Sequence, residues 1–286
     1  MKLIIQPADG VAPIVKAIDK AKKFLDIMIF RFDRAEVEKA LKAAVGRGVK
    51  VRALIAHTNK GGDKTLRKLE LRLLECGATV ARTADDLARY HAKMMIVDNA
   101  VLHVYGFNYT KLDIDKSRSF GIVTRDRKIV AEAHKLFEAD ALRQSYAPDH
   151  QRLVVSPENS RALLTAFVKG ARRELLIYDG QVSDNAVQKV LADRAANGVQ
   201  IRILGALEKD IDGIKVRKLA PMRLHVRAIV RDGSEAFVGS QSLRKLELEG
   251  RREVGIIVKN GGIVRRITAT FEDDWKRSKK KAAAQA

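Results

Sequence analysis

Histidine and a fixed cation two residues apart, followed five residues later by aspartate, occur twice in this chain. The first set is His91, Lys93 and Asp98; the second is His225, Arg227 and Asp232. Both segments, 91–98 and 225–232, are strand-like and run into turn dipeptides, Asp98-Asn99 and Asp232-Gly233. In a strand, residues two apart share a face, so each histidine is expected to project beside its cation. That pairing suits phosphoryl chemistry. An imidazole can attack phosphorus or protonate a leaving oxygen, while the cation neutralises the non-bridging oxygens. Asp98 and Asp232 fall on the other parity at the turn and are read as fixing the hairpins rather than touching phosphate. Fixed cations stand where metal-dependent enzymes of this kind gather carboxylates, so no metal or other cofactor is expected.

The elements that must position these residues repeat as well. The interval from His91 to His225 is 134, and the same interval separates Phe137-Glu138-Ala139-Asp140 from Phe271-Glu272-Asp273-Asp274. Earlier in each half the interval is 150: Gly48-Val49-Lys50-Val51-Arg52 matches Gly198-Val199-Gln200-Ile201-Arg202. The difference lies in Gly61–Asp85, which carries a charged helical stretch; Gly61-Gly62-Asp63-Lys64-Thr65 reads as a turn, not a phosphate loop. Each half reads strand, helix, strand, hairpin, closing helix. The fold class predicted is α/β: two repeated α-β-α sandwich halves with mixed sheets, related by a pseudo-twofold axis. The boundaries expected are 1–145 and 146–275, joined by a polar linker near Ser145–Asn159, with a basic disordered tail over 276–286.

The chain has 286 residues and 46% hydrophobic composition, enough to bury a sizeable core. Its single cysteine, Cys76, excludes an internal disulfide and reads as a small packed residue. No apolar stretch reaches signal-peptide or membrane-spanning length, so a cytoplasmic protein is expected. A net charge of +20 draws polyanions: nucleic acid, anionic lipid headgroups or phosphorylated small molecules. His57, His103, His134 and His150 show no metal-ligand spacing. The acid pairs Asp85-Asp86 and Asp273-Asp274 read as solvated.

With the duplicated motif in view, the chain resembles the phospholipase D superfamily, whose signature is a repeated H-x-K-x4-D. In that family a G-S-x-N element follows each motif, and then an acidic residue on the next strand. Tyr105-Gly106-Phe107-Asn108 and Gly239-Ser240-Gln241-Ser242 occupy the first position; Ser119 and Glu253 occupy the second. The first half thus keeps Lys93 and Asn108 but has serine for the acid. The second keeps Ser240 and Glu253 but has Arg227 for lysine and Ser242 for asparagine, and a forked guanidinium is not a point-charge ammonium. The resemblance implies a phosphodiesterase whose first-half histidine, His91, forms a covalent phosphohistidine while His225 protonates the leaving alcohol. Glu253 would orient an imidazole.

Three substrate readings follow. A phospholipid headgroup phosphodiester comes first, hydrolysed or transferred by a monomer touching anionic membrane peripherally. A metal-independent nuclease comes second, with 5% aromatic residues leaving few base-stacking platforms. A catalytically weakened polyanion-binding protein comes third, suggested by Ser119, Arg227 and Ser242.

Overall fold

The computed structural model describes residues 1–58, 62–220 and 222–280. The first half contains β1 (Lys2–Gln6), α1 (Ala12–Asp19), β2 (Phe24–Met28), α2 (Ala35–Gly46), β3 (Lys50–Ile55), α3 (Gly62–Glu75) and β4 (Thr79–Arg82). It continues with β5 (Arg89–Tyr90), β6 (Met94–Val97), β7 (Val101–Tyr105), α4 (Lys111–Asp115), β8 (Ser117–Thr124) and α5 (Arg127–Ala141). The second half opens with β9 (Leu153–Ser156), α6 (Ser160–Lys169), β10 (Glu174–Val182), α7 (Asn185–Ala196), β11 (Gln200–Leu207) and β12 (Ile214–Lys218). It ends with β13 (Arg223–Leu224), β14 (Arg227–Arg231), β15 (Glu235–Gly239), α8 (Lys245–Glu249), β16 (Arg251–Val258), α9 (Gly261–Lys276) and β17 (Lys279–Lys280).

Two mixed sheets result, the α/β architecture expected. The first runs β1-β8-β7-β6-β2-β3-β4 and the second β17-β12-β11-β10-β14-β15-β16-β5. β2 and β3 are parallel because α2 crosses between them, whereas β6 and β7 form a tight antiparallel hairpin. β6 is apolar on both faces because both faces are covered. Met94 and Ile96 enter the core shared by the halves, while Met95 and Val97 pack under α1, α2 and α3. In the second half Ala228 and Val230 face that shared core and Ile229 the outer layer. α5 and α9 are wedged into the shared core through Ile129, Leu136 and Phe137 and through Val264, Ile267 and Phe271.

The turn reading holds in detail. Asp98 and Asn99 have φ of 50° and 52°, and Asp232 and Gly233 have 53° and 64°, the positive values a two-residue hairpin turn demands. Asp98 accepts hydrogen bonds from the backbone N–H groups of Lys22, Lys23 and Phe24; Asp232 does the same for Arg172, Arg173 and Glu174. Each aspartate therefore ties its hairpin to the start of the neighbouring strand.

Several expectations give way. The segment Ser145–Asn159 is not a free linker, because Leu153–Ser156 adds a strand to β16 and Tyr146 is buried with its hydroxyl on Glu132. The tail does not begin at 276: α9 runs through Lys276, and Lys279–Lys280 pairs with β12, leaving 281–286 outside the described residues. Gly61 of the expected turn also lies outside them, and Gly62 already opens α3. Asp274 is fully buried rather than solvated, since it faces Arg118 of the other half.

Candidate active site

Neither motif lies on one continuous strand. β5 pairs with β16 of the second half, and the chain then crosses to the first-half sheet as β6. Its twin β13 pairs with β8 of the first half before β14 joins the second-half sheet. Each histidine sits at that changeover. The backbone N–H of His91 donates to the carbonyl of Arg252, and that of His225 donates to the carbonyl of Arg118. The halves approach so closely here that a Cβ on Gly106 would lie 3.0 Å from the carbonyl oxygen of Gly239. Both motifs are thus gathered at the join between the halves, each histidine held by the half that did not supply it.

Around His91 the geometry is compact. Its Nδ1 lies 2.9 Å and 3.0 Å from the two carboxylate oxygens of Glu253, which is fully buried. Lys93 Nζ sits 2.9 Å and 3.0 Å from the ring nitrogens and donates to the His91 carbonyl at 2.6 Å, so the two side chains project together as expected. Burial lowers the His91 imidazole to about 4; Glu253 opposes that shift and Lys93 adds to it. Burial also lowers Lys93 to about 7. Burial alone would raise the Glu253 carboxyl, but His91 and Lys93 outweigh it and hold it at about 2. Ser240 Oγ bonds the Val254 backbone beside Glu253 and so fixes the strand that carries the carboxylate.

Around His225 the structure differs from the sequence reading. Ser119, at the position of the missing acid, donates to the His225 carbonyl at 3.1 Å. The carboxylate comes instead from Asp113 on α4, whose Oδ2 is 3.2 Å from His225 Nε2. Asn108 holds that carboxylate with its backbone N–H and side-chain amide at 2.9 Å and 2.8 Å, and Arg223 pairs with the other oxygen at 2.6 Å. The one sequence signal for Asp113 is the repeat itself: Glu247 is its counterpart at the interval of 134, so an acid recurs there in both halves. Burial would raise the Asp113 carboxyl, yet His225 and Asn108 hold it well below the usual carboxylate range. His225 is itself lowered, by burial first, with Asp113 opposing and Arg227 adding. Nδ1 faces Arg223 and Arg227 at 3.2 Å and 3.4 Å; both are donors, so this nitrogen accepts and the proton resides on Nε2.

Arg227 enters from the same register as Lys93 but meets no carboxylate within ion-pair distance among the described residues. Arg227 Nε, His225 Nε2 and Asn108 Oδ1 are buried without hydrogen-bond partners. Of these, Arg227 Nε and His225 Nε2 are donors that suit a ligand's oxygens, whereas Asn108 Oδ1 is an acceptor. Ser242, the other departure, donates to Asp179, a fully buried acid that the sequence reading missed and that lies near Arg227. One metal-like cluster was also missed: Asp26, His134 and Glu138 offer ligand atoms within 4.8 Å of one another. Arg52 occupies it, bonding Asp26 at 2.6 Å and 2.9 Å and Glu138 at 2.6 Å.

The family described as cardiolipin synthase, PLD-like domain, matches residues 14–141 and 164–275, one stretch in each half. The Bacillus subtilis (strain 168) protein named probable cardiolipin synthase YwiE is 20% identical over 323 aligned residues, covering 93% of this chain. The chain spans 64% of that relative's length. Among solved structures, polyphosphate kinase from Porphyromonas gingivalis superposes with a TM-score of 0.80 at 19% identity, over 96% of this chain and 47% of that one. Phosphatidylserine synthase from Haemophilus influenzae Rd KW20 superposes with a TM-score of 0.71 at 10% identity, over 98% and 87%. At these identities the two structures share the fold of this chain.

Proposed function

The chain belongs to the phospholipase D superfamily, within the family described as cardiolipin synthase, PLD-like domain, and from that premise we propose that it is a phosphodiesterase working through a phosphohistidine on His91. The observation that carries this reading is the cross-half pairing of each histidine with a buried carboxylate, His91 with Glu253 and His225 with Asp113, around Lys93 and Arg227. With Asp113 supplying the acid that Ser119 lacks, both imidazoles have the partner needed for catalysis. That favours an enzyme over a weakened binding protein.

Burial keeps His91 neutral at physiological pH, and with Glu253 at Nδ1 the attacking nitrogen is Nε2, once Lys93, 3.0 Å from it in the free site, turns to the phosphate oxygens. Attack forms the N–P bond and breaks the bond from phosphorus to the leaving oxygen, which takes a proton from His225. Water or a second alcohol then gives its proton to His225 and attacks phosphorus, and the P–N bond breaks. Lys93 and Arg227 neutralise the non-bridging oxygens in both steps. The bound phosphodiester anion offsets the repulsion between Arg227 and a protonated His225, so the acid form is generated where it is needed. A phospholipid headgroup phosphodiester is the substrate we favour, in line with the names of the family and of the Bacillus relative. No helix among the described residues is long and apolar enough to cross a membrane.

The test is intact-mass spectrometry after incubation with bis(4-nitrophenyl) phosphate, whose leaving group needs no acid. His225→Ala should accumulate a phosphoryl adduct and His91→Ala none. Turnover by the unaltered protein with no adduct in either variant would point to direct attack by water. Parallel assays on phosphatidylglycerol, phosphatidylcholine and single-stranded DNA, each repeated with excess EDTA, decide the substrate and the role of metal.

A further inference from the structure

The two halves are near copies, and one departure from the copy leaves cations beside His91 without a carboxylate partner among the described residues. Arg89 and Arg223 are twins at the interval of 134, each two places before its histidine. Arg223 is neutralised by Asp113 at 2.6 Å. The twin of Asp113 is Glu247, but Arg244 and Arg251 take it at 2.6 Å and 2.7 Å. Arg89 is left with no carboxylate oxygen within 4.0 Å among the described residues, and so is Arg31.

Both arginines gather on one ring. The guanidinium of Arg89 lies 5.3 Å from the centre of Phe30 and that of Arg31 lies 5.6 Å away, both within cation–π reach. Phe30 is 5% exposed and meets the His91 ring edge-on at 4.8 Å, so a single aromatic ring separates the two guanidinium groups from the imidazole. The second half has Gly180 and Gln181 where the first has Phe30 and Arg31, so this platform exists on one side only. Burial lowers the Arg89 pKa, Arg251 and Arg31 lower it further, and Glu253 opposes them. A half-buried cation repelled by neighbouring cations costs stability, and a bound anion relieves that cost.

We propose that Arg31 and Arg89, held on Phe30, form a second phosphate subsite, so that the substrate carries a further phosphate group close to the one that reacts at His91. This rests on the phosphodiesterase reading and narrows it to substrates with at least two neighbouring phosphates. Two guanidinium forks suit a phosphate's several oxygens, whereas a zwitterionic headgroup offers a single anion.

The probes are inorganic phosphate and inorganic pyrophosphate, titrated by calorimetry at physiological salt with the full chain. Pyrophosphate should bind at least about tenfold more tightly than phosphate. That ratio should fall toward unity in Arg89→Gln, while Lys189→Gln, a charge loss at an exposed position of α7, leaves it unchanged. Arg31→Gln is the second variant; Arg31 is exposed, so its loss should not unfold the chain. Equal binding of the two anions by the unaltered protein would overturn the subsite, as would a ratio that falls equally in Lys189→Gln. Glycerol 1,3-bisphosphate and thymidine 3′,5′-bisphosphate form two further arms; preference for the first places the second phosphate in a lipid headgroup, preference for the second in nucleic acid. Hydrolysis of bis(4-nitrophenyl) phosphate is measured alongside: no turnover with the binding ratio intact sinks the enzymatic reading alone, and turnover without the ratio sinks the subsite alone.

Discussion

Asp113 and His225 come from opposite halves and stand 3.2 Å apart between Oδ2 and Nε2, yet Nε2 remains without a formed hydrogen bond. The Nε2–H group and the carboxylate are close but not aligned, and a small rotation of the imidazole on substrate binding would close the bond. Removing the charge with Asp113→Asn should lower kcat on the order of a hundredfold, the scale of one general acid–base partner. Ser119→Ala removes only a hydroxyl bonded to backbone and should cost far less. Steady-state rates on an unactivated diester make the comparison; the reverse order would return the acidic role to position 119.

The pH dependence should carry the titration of Lys93 on its alkaline side. Both imidazoles are lowered by burial, so in the free site both are neutral at pH 7. Lys93, lowered to about 7, must be charged to hold phosphate. Its contribution is therefore present below about pH 7 and lost as pH rises through that value, while His91 becomes protonated only near pH 4. A kcat/KM profile should fall on the alkaline side near neutrality, and Lys93→Arg should move that limb upward because a guanidinium stays protonated. An alkaline limb unmoved in Lys93→Arg would assign it to another group.

Reciprocal buried ion pairs clamp the halves. Arg118 bonds Asp274 at 2.7 Å and 2.9 Å, and Arg252 bonds Asp140 at 3.2 Å, each arginine next to the residue at the acid position of its strand. Their carbonyls receive the N–H groups of the two histidines. Arg118→Met strands the Asp274 carboxylate in the core and should cost about 3–5 kcal/mol, read by urea unfolding. Adding Asp274→Asn should recover a large part of that loss. Full additivity of the two losses would mean that the residues do not act as a pair.

Asp98→Ala and Asp232→Ala should each remove about 1–3 kcal/mol of stability, since each carboxylate caps several backbone N–H groups. Both carboxyls are lowered: burial alone would raise them, but those backbone donors outweigh it. Their contribution is thus present above the ordinary carboxylate range and lost as pH falls through the folded values. Unfolding midpoints of the variants should converge on the unaltered protein in strong acid, with kcat little changed at neutrality. A large kcat loss in a stably folded Asp98→Ala protein would place that residue in the chemistry.

The repeat, the two hairpin turns, the α/β class and the meeting of each histidine with its cation were all legible in the sequence. They depend on local spacing: a period of two in strands, positive φ at Asp98 and Asp232, and one interval shared by the motifs and the closing helices. What lay hidden depends on which half touches which. The exchange of β5 and β13 between sheets, the supply of Asp113 to His225, the bond from Ser119 to the His225 carbonyl and the burial of Asp274 against Arg118 all join residues far apart in the chain. No local periodicity records such a pairing. Position 119 reads as lacking an acid because strand register names only the residue that aligns, whereas charge acts through space. A short helix before β8 can bring Asp113 to the same imidazole, and only the packing of the two halves decides that it does.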